Sequence, residues 1–354
     1  MKVSFPNFGF DTLAMKTFVE DMGAEVVLAP AGSKRTLELG VVSSPELICL
    51  PYKITLGNMI EAAERGANTI LMAAGARKCR FGYYCYLQER TLAEMYPGCR
   101  FVPVTQYSPY QFFFRVMPGL FGVSPTRVFR ATAKMYAKSQ LTLEFRQLLN
   151  RKRAVDFAAG EQLRSQALRI VEQARTMSQI RSARRRLRQM FSLDGRQPAL
   201  RLGLVGEIYL TVEHFANGDI EKELNRLGAE VVFERSLYHH ILHVLHINPR
   251  SAWSHWQARQ YLAECPGGEA MRTVGEAARF ARGGLDGIVH VFPFTCMPEN
   301  IALEALQVIA AETGVPILSL SFDEHTSRTG LLTRLEAFVD LVRRRKSGRR
   351  FSGN

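Results

Sequence analysis

One hexapeptide recurs: Met22-Gly-Ala-Glu-Val-Val27 returns as Leu227-Gly-Ala-Glu-Val-Val232. Each copy has the same grammar. A short apolar run (2–5; 202–205) leads through a loop into a helical stretch, a glycine closes that helix, and a second apolar run follows, which is how βαβ units read. Both copies then pass through further helix into an apolar run with a cysteine after it, Thr69-Ile-Leu-Met-Ala-Ala-Gly-Ala before Cys79 and Gly287-Ile-Val-His-Val-Phe-Pro-Phe-Thr before Cys296. A repeated crossover pattern builds parallel sheets, since parallel neighbours need a long connection.

The 354 residues exceed one minimal core and suit two such units. The expected fold is α/β: two doubly wound, flavodoxin-like parallel-sheet domains (1–124 and 196–342) joined by a helical connector (125–195), with a basic tail (343–354). In the connector Leu163, Ala167, Ile170, Ala174 and Met177 step by three and four, the stripe of a helix packed across both domains. Gln197-Pro198 marks the start of the second domain.

Lys and Arg outnumber Asp and Glu by 46 to 33, a formal +13, and the surplus gathers in 181–188 and 343–350. The first cluster lacks interleaved aromatic residues and reads as a solvated helix face rather than a nucleic-acid reader, and the tail as disordered and solubilising. Tyr107 to Phe121 is aromatic, but Pro109, Arg115 and Pro118 interrupt it, so a buried interdomain or dimer contact is expected rather than a membrane-surface helix. No secretory pattern opens the chain and no run of about 18 apolar residues occurs, so the expected location is cytoplasmic, with no membrane partner. Neither a phosphate-binding P-loop nor a dinucleotide fingerprint is present, which argues against ATP hydrolysis and NAD binding by this chain.

Six cysteines without a secretory pattern read as free thiols, metal ligands or redox groups. No Cys-x-x-Cys occurs, so a zinc ribbon or thioredoxin-like pair is not expected. Cys49, Cys79 and Cys296 each follow an apolar run and precede a helical stretch. Ligands binding beyond the carboxyl ends of parallel strands could therefore meet thiols from both domains, which suggests an iron–sulfur site. Cys85 is a candidate fourth ligand, and Cys99 and Cys265 sit in Pro/Gly turns as structural thiols. Lys53, Arg77, Lys78 and Arg80 either favour a reduced cluster or form a solvated basic loop. Glu207 and Glu324, the latter beside His325, are either proton carriers or helix caps, with Asp323 and Thr326 also of capping type.

Together, Cys49-Leu-Pro-Tyr-Lys53, Lys78-Cys-Arg-Phe-Gly-Tyr-Tyr84, Gly206-Glu-Ile-Tyr209, Phe292-Pro-Phe-Thr-Cys-Met-Pro298, Ser321-Phe-Asp-Glu-His-Thr-Ser-Arg-Thr-Gly330 and Thr333-Arg-Leu-Glu-Ala-Phe338 resemble the 2-hydroxyacyl-CoA dehydratase and benzoyl-CoA reductase superfamily, in particular its acyl-CoA dehydratase activase-related branch. The resemblance spans nearly the whole chain apart from the connector and tail. It implies a 4Fe-4S cluster on Cys49, Cys79 and Cys296 that accepts a low-potential electron from a separate ATP-dependent activator and, in catalytic members, passes it to an acyl-CoA to give a ketyl radical. It also implies pairing with a second copy or a related subunit. Two alternatives stand beside it: a double-cubane reductase of small molecules, and a cluster-free scaffold binding an acidic protein or nucleic acid through the basic helix and tail.

Overall fold

The structure is a computed structural model that describes all residues except 75–78, 245–248 and 352–354, together with the backbone alone at 243–244, 249–251 and 349–351. Two four-stranded parallel sheets organise it. The first contains β1 (Lys2–Ser4), β2 (Glu25–Val26), β3 (Thr69–Met72) and β4 (Arg100–Pro103) in the order β2-β1-β3-β4. The second contains β5 (Leu200–Gly206), β6 (Ala229–Phe233), β7 (Gly287–Pro293) and β8 (Ile317–Phe322) in the order β6-β5-β7-β8. Both orders reverse between the first and third strands, β1/β3 and β5/β7, and that crevice is where doubly wound sheets bind ligands.

The repeated hexapeptide does the same work twice. Helix Thr12–Asp21 ends just before Gly23 at φ +90°, and Ile220–Arg226 just before Gly228 at φ +81°, a left-handed turn that glycine makes without a Cβ clash. The chain then enters β2 or β6 alongside its partner, with Lys2 paired to Glu25 and Leu200 to Ala229.

A second echo comes before the third strand of each half. Helix Leu50–Glu64 crosses Lys34–Val42 so closely that a Cβ on Gly40 would lie 1.8 Å from the Lys53 carbonyl oxygen, and one on Gly57 1.9 Å from that of Thr36. Helix Ala270–Arg282 crosses Pro249–Ala258 in the same way, since a Cβ on Gly275 would lie 1.9 Å from the Ser254 carbonyl oxygen. Glycine lets backbone pack on backbone at each crossing, which fixes where these two helices begin.

The connector comprises helices Pro125–Val155, Phe157–Gln173 and Met177–Met190. The first spans both halves: Val128 and Ala131 join the core of the first sheet, and Leu143 joins that of the second. Arg146, buried on the same helix, donates to Glu221 and to the Thr211 and Arg235 carbonyls while its guanidinium lies 3.6 Å from the Phe233 ring centre. Asp11 of the first half accepts from Thr142 of the connector at 2.9 Å and from the Leu237 backbone of the second half at 2.7 Å.

Three expectations need correction. Met177 leaves the apolar stripe, because the helix carrying Leu163 and Ala167 stops at Gln173 and Met177, exposed, opens the next one. The basic tail continues helix Arg328–Phe351, in which Arg343 donates to the Leu227 carbonyl and Lys346 reaches Asp286 and the Ala199 carbonyl. The aromatic stretch is not broken by its prolines. Pro109 opens the run at a first helical position, where proline is tolerated, and Pro118 follows the π-helical stretch Phe112–Val116 inside it, so the run from Pro109 to Phe121 is continuously helical, packing on the first sheet's core rather than between the domains. Among the described residues no helix is long and apolar enough to cross a membrane.

Candidate functional site

Three helix starts converge at the crevice. Cys49 is the N-cap of Leu50–Glu64 with Pro51 behind it, and Cys296 is the N-cap of Met297–Thr313 with Pro298 behind it. Cys79 lies just before helix Phe81–Met95. Proline suits an early helical position because its missing N–H has no carbonyl to meet there, so Cys-x-Pro places a thiol at a helix mouth.

The three thiols are electrostatic neighbours across the two halves. Cys79 is pushed up to about 11 by burial first, then by the charges of Glu207, Cys49 and Glu269, against the Phe81 N–H. Cys296 rises further through burial, Glu299, Glu207 and Cys49. Cys49 shares a hydrogen bond with the Tyr84 hydroxyl, itself raised by burial and by Cys49. Buried as they are, the thiols of Cys79 and Cys296 stay protonated at neutral pH until a cation offsets their charge.

Arg80 fastens the mouths together: its guanidinium donates to the Thr295 carbonyl at 2.6 Å, beside Cys296, and to the Leu47 carbonyl at 3.4 Å, two residues before Cys49. A second tie joins the same halves. Lys53, one turn into the helix capped by Cys49 and almost wholly buried, forms an ion pair with Glu324, just beyond β8. Burial alone would raise Glu324, but the hydrogen bond and charge of Lys53 outweigh it and hold the carboxyl low.

Several carboxylates lie around the described part of the site. Glu207, the N-cap after β5, accepts from the Leu210 N–H at 2.9 Å and is pushed up to about 7 by burial, with the Glu299 and Glu269 charges adding to it. Glu299 bonds Thr273 at 3.0 Å and the His290 Nε2 at 3.0 Å. Glu269 and Glu276 are balanced by Arg235, which is fully buried and donates to both, and by Arg272. Of the four basic residues expected here, Lys53 pairs with Glu324 and Arg80 serves as a tie, while Arg77 and Lys78 lie outside the described residues.

Glu269 was not singled out by sequence. It caps helix Ala270–Arg282, the counterpart of Leu50–Glu64, so it holds in the second half the place that Cys49 holds in the first. Gly268 beside it lies against Pro298, and a Cβ there would come 3.9 Å from the Cys79 Cβ. The equivalence could have been read only by aligning the helices before β3 and β7, whose sequences share little beyond their central glycines.

The remaining candidates sit elsewhere. Cys85 is buried within its helix, its thiol 3.6 Å from the Gly82 carbonyl among Tyr52, Leu56 and Leu92. Cys99 approaches the Ala67 carbonyl and Cys265 is exposed. Of the two carboxylates considered as proton carriers, Glu207 faces the thiols and caps a helix, whereas Glu324 serves the Lys53 pair. Asp323 accepts from Thr326 and from the His325 N–H, as a capping residue does. Among the described residues, no three His, Cys, Asp or Glu side chains close around one point tightly enough for a single metal ion. Around one tetrahedral ion, sulfurs bound at about 2.3 Å would stand only about 3.8 Å apart.

No protein-family model matches the chain, and no curated protein is similar to it in sequence.

Proposed function

We propose that the chain is an iron–sulfur protein whose cluster is held by Cys49, Cys79 and Cys296, and that it accepts low-potential electrons from a separate ATP-dependent activator and delivers them to a substrate of the acyl-CoA class. The observation that carries this reading is the convergence of three thiols from two domains, Cys49 and Cys296 buried and Cys79 half-buried, at helix mouths that Arg80 ties together on the switch-point crevice. The donor set, three cysteine thiols brought together from two domains, is of the kind that holds an iron–sulfur cluster. When bound, such a group supplies one-electron transfer at low potential.

The chain's own residues have definable parts. Tyr84 holds Cys49, Arg80 keeps the three mouths in register, and burial shields Cys49 and Cys296 from water. Glu207, poised near 7, can hold or release a proton beside them. Cys85, Cys99 and Cys265 are dispersed, which favours a single cluster over a double cubane. A cytoplasmic location follows from the same chemistry, since reduced clusters survive in a reducing compartment.

The test is anaerobic reconstitution with iron and sulfide, followed by an iron count and electron paramagnetic resonance. About four irons per chain are expected in the wild type, with Cys79→Ala and Cys296→Ala each losing most of them and Cys85→Ala losing none. Iron content unchanged in C79A and C296A would sink the assignment.

A further inference from the structure

From Met95 to Leu143 the chain contains no Asp or Glu, and carries Arg100, Arg115, Arg127, Arg130, Lys134 and Lys138. This segment also exposes a cluster of aromatic rings. Phe113 stacks on Phe129 at 4.1 Å with planes 2° apart, Phe114 meets Phe129 edge to face at 5.8 Å, and Tyr110 stacks on Phe114 at 5.2 Å with the Arg115 guanidinium 5.7 Å from its ring. Tyr110, Phe114 and Phe129 are 59, 48 and 46 % exposed, a concentration of open aromatic surface that a water-facing helix has no use for. The inner side of the segment is anchored, since Phe112, Val116, Leu120 and Phe121 pack on the core of the first sheet.

We infer that this platform docks peripherally on an anionic lipid surface, the rings entering the headgroup and acyl boundary while Arg115 and Arg130 meet phosphates. The charge decides the class of occupant. A second copy would lay cations on cations, with no carboxylate in the segment to relieve them. The acid that faces it from the neighbouring helix, Asp21, is already taken by Lys134, with Arg127 on the Asp21 carbonyl. Single-stranded nucleic acid stacks its bases on free ring faces, and here Phe113 is stacked on Phe129 and Tyr110 on Phe114, with the Arg115 guanidinium over the Tyr110 ring. Aromatic rings flanked by arginines on a short, firmly seated helix are what an interfacial anchor requires. The prolines that argued against a surface helix from sequence do not break it: Pro109 opens the run and Pro118 lies within it after the π-helical stretch.

The test is co-sedimentation of the full chain with phosphatidylcholine vesicles, with and without phosphatidylglycerol. Binding is expected only with phosphatidylglycerol, weakening steeply with salt. Phe114→Ser with Phe129→Ser should lower it at least about tenfold, the loss expected when the exposed half of each ring is no longer taken into the lipid, and Arg115→Ser with Arg130→Ser by a similar factor. Both pairs are exposed, and an unchanged thermal midpoint checks folding. Replacing Arg181, Arg185 and Arg186 by Ser, on the separate basic helix, should leave binding intact. No binding to phosphatidylglycerol vesicles, equal binding to phosphatidylcholine alone, or loss only in the Arg181/Arg185/Arg186 variant would each overturn the proposal. So would self-association of the free chain that the Phe114/Phe129 variant abolishes, or binding of single-stranded RNA in place of vesicles.

Discussion

Replacing Glu324 by Gln leaves the Lys53 ammonium buried without its counter-charge. The Lys53 side chain is 5 % exposed and that of Glu324 25 %, so water can relieve only part of the penalty. Breaking a buried pair by removing one partner costs about 3–5 kcal/mol, and the partial exposure of Glu324 puts this case near 3. At about 2.1 cal/mol/K of unfolding entropy per residue, 354 residues give about 0.74 kcal/mol/K, so the midpoint should fall by about 4 °C if the halves unfold together. Urea titration, with fluorescence and circular dichroism required to coincide, measures the free energy directly. The double variant Lys53→Met/Glu324→Leu removes both charges and should recover most of the loss, because an apolar pair of similar volume carries no desolvation penalty. The pair joins the helix capped by Cys49 to the far domain, so E324Q should also lose iron faster to a chelator after reconstitution. A loss below about 1 kcal/mol in E324Q, or a double variant as unstable as the single, would refute the claim that the charges depend on each other.

Glu213, buried and pushed up to about 7 by desolvation, is protonated in the fold where the unfolded chain has lost its proton. Its stabilisation is thus fully present below pH 4.5 and is lost as pH rises through about 7, by up to about 3 kcal/mol; Glu213→Gln should flatten that slope of unfolding free energy, and an unchanged slope counts against the assignment. Gly40→Ala puts a Cβ on the Lys53 carbonyl, so the two helices must part at a cost of about 1–3 kcal/mol, and iron retention should drop with stability in the reconstitution assay. Arg80→Met should change the melting midpoint little, since it removes two exposed hydrogen bonds worth about 1 kcal/mol each, yet speed the chelator-driven loss of iron; retention equal to wild type would show that Arg80 does not hold the mouths together.

What could be read from the residues followed from local rules. The hexapeptide echo works because Gly23 and Gly228 serve one backbone conformation, which is fixed within a few residues. Cys49, Cys79 and Cys296 were legible because a thiol before a helix, twice with proline two residues on, is a local pattern. Partners distant in sequence were not legible. Nothing near Lys53 announces Glu324, 271 residues away, and Arg80 reads as one more surface cation until Leu47 and Thr295 come to meet it. Prolines misled in the aromatic segment because the same residue both breaks a helix and starts one, and only the register of the turns distinguishes the two.

The place of Glu269 bears on the history of the site. Two identical half-chains related by a twofold axis can offer only even numbers of any ligand, so each would bring its helix-mouth cysteine twice over. Three thiols and one arginine-clamped carboxylate cannot arise in such a pair. An asymmetric corner such as Glu269 opposite Cys49 needs two halves that differ in sequence, and here one polypeptide, spanned by the connector helix, carries both.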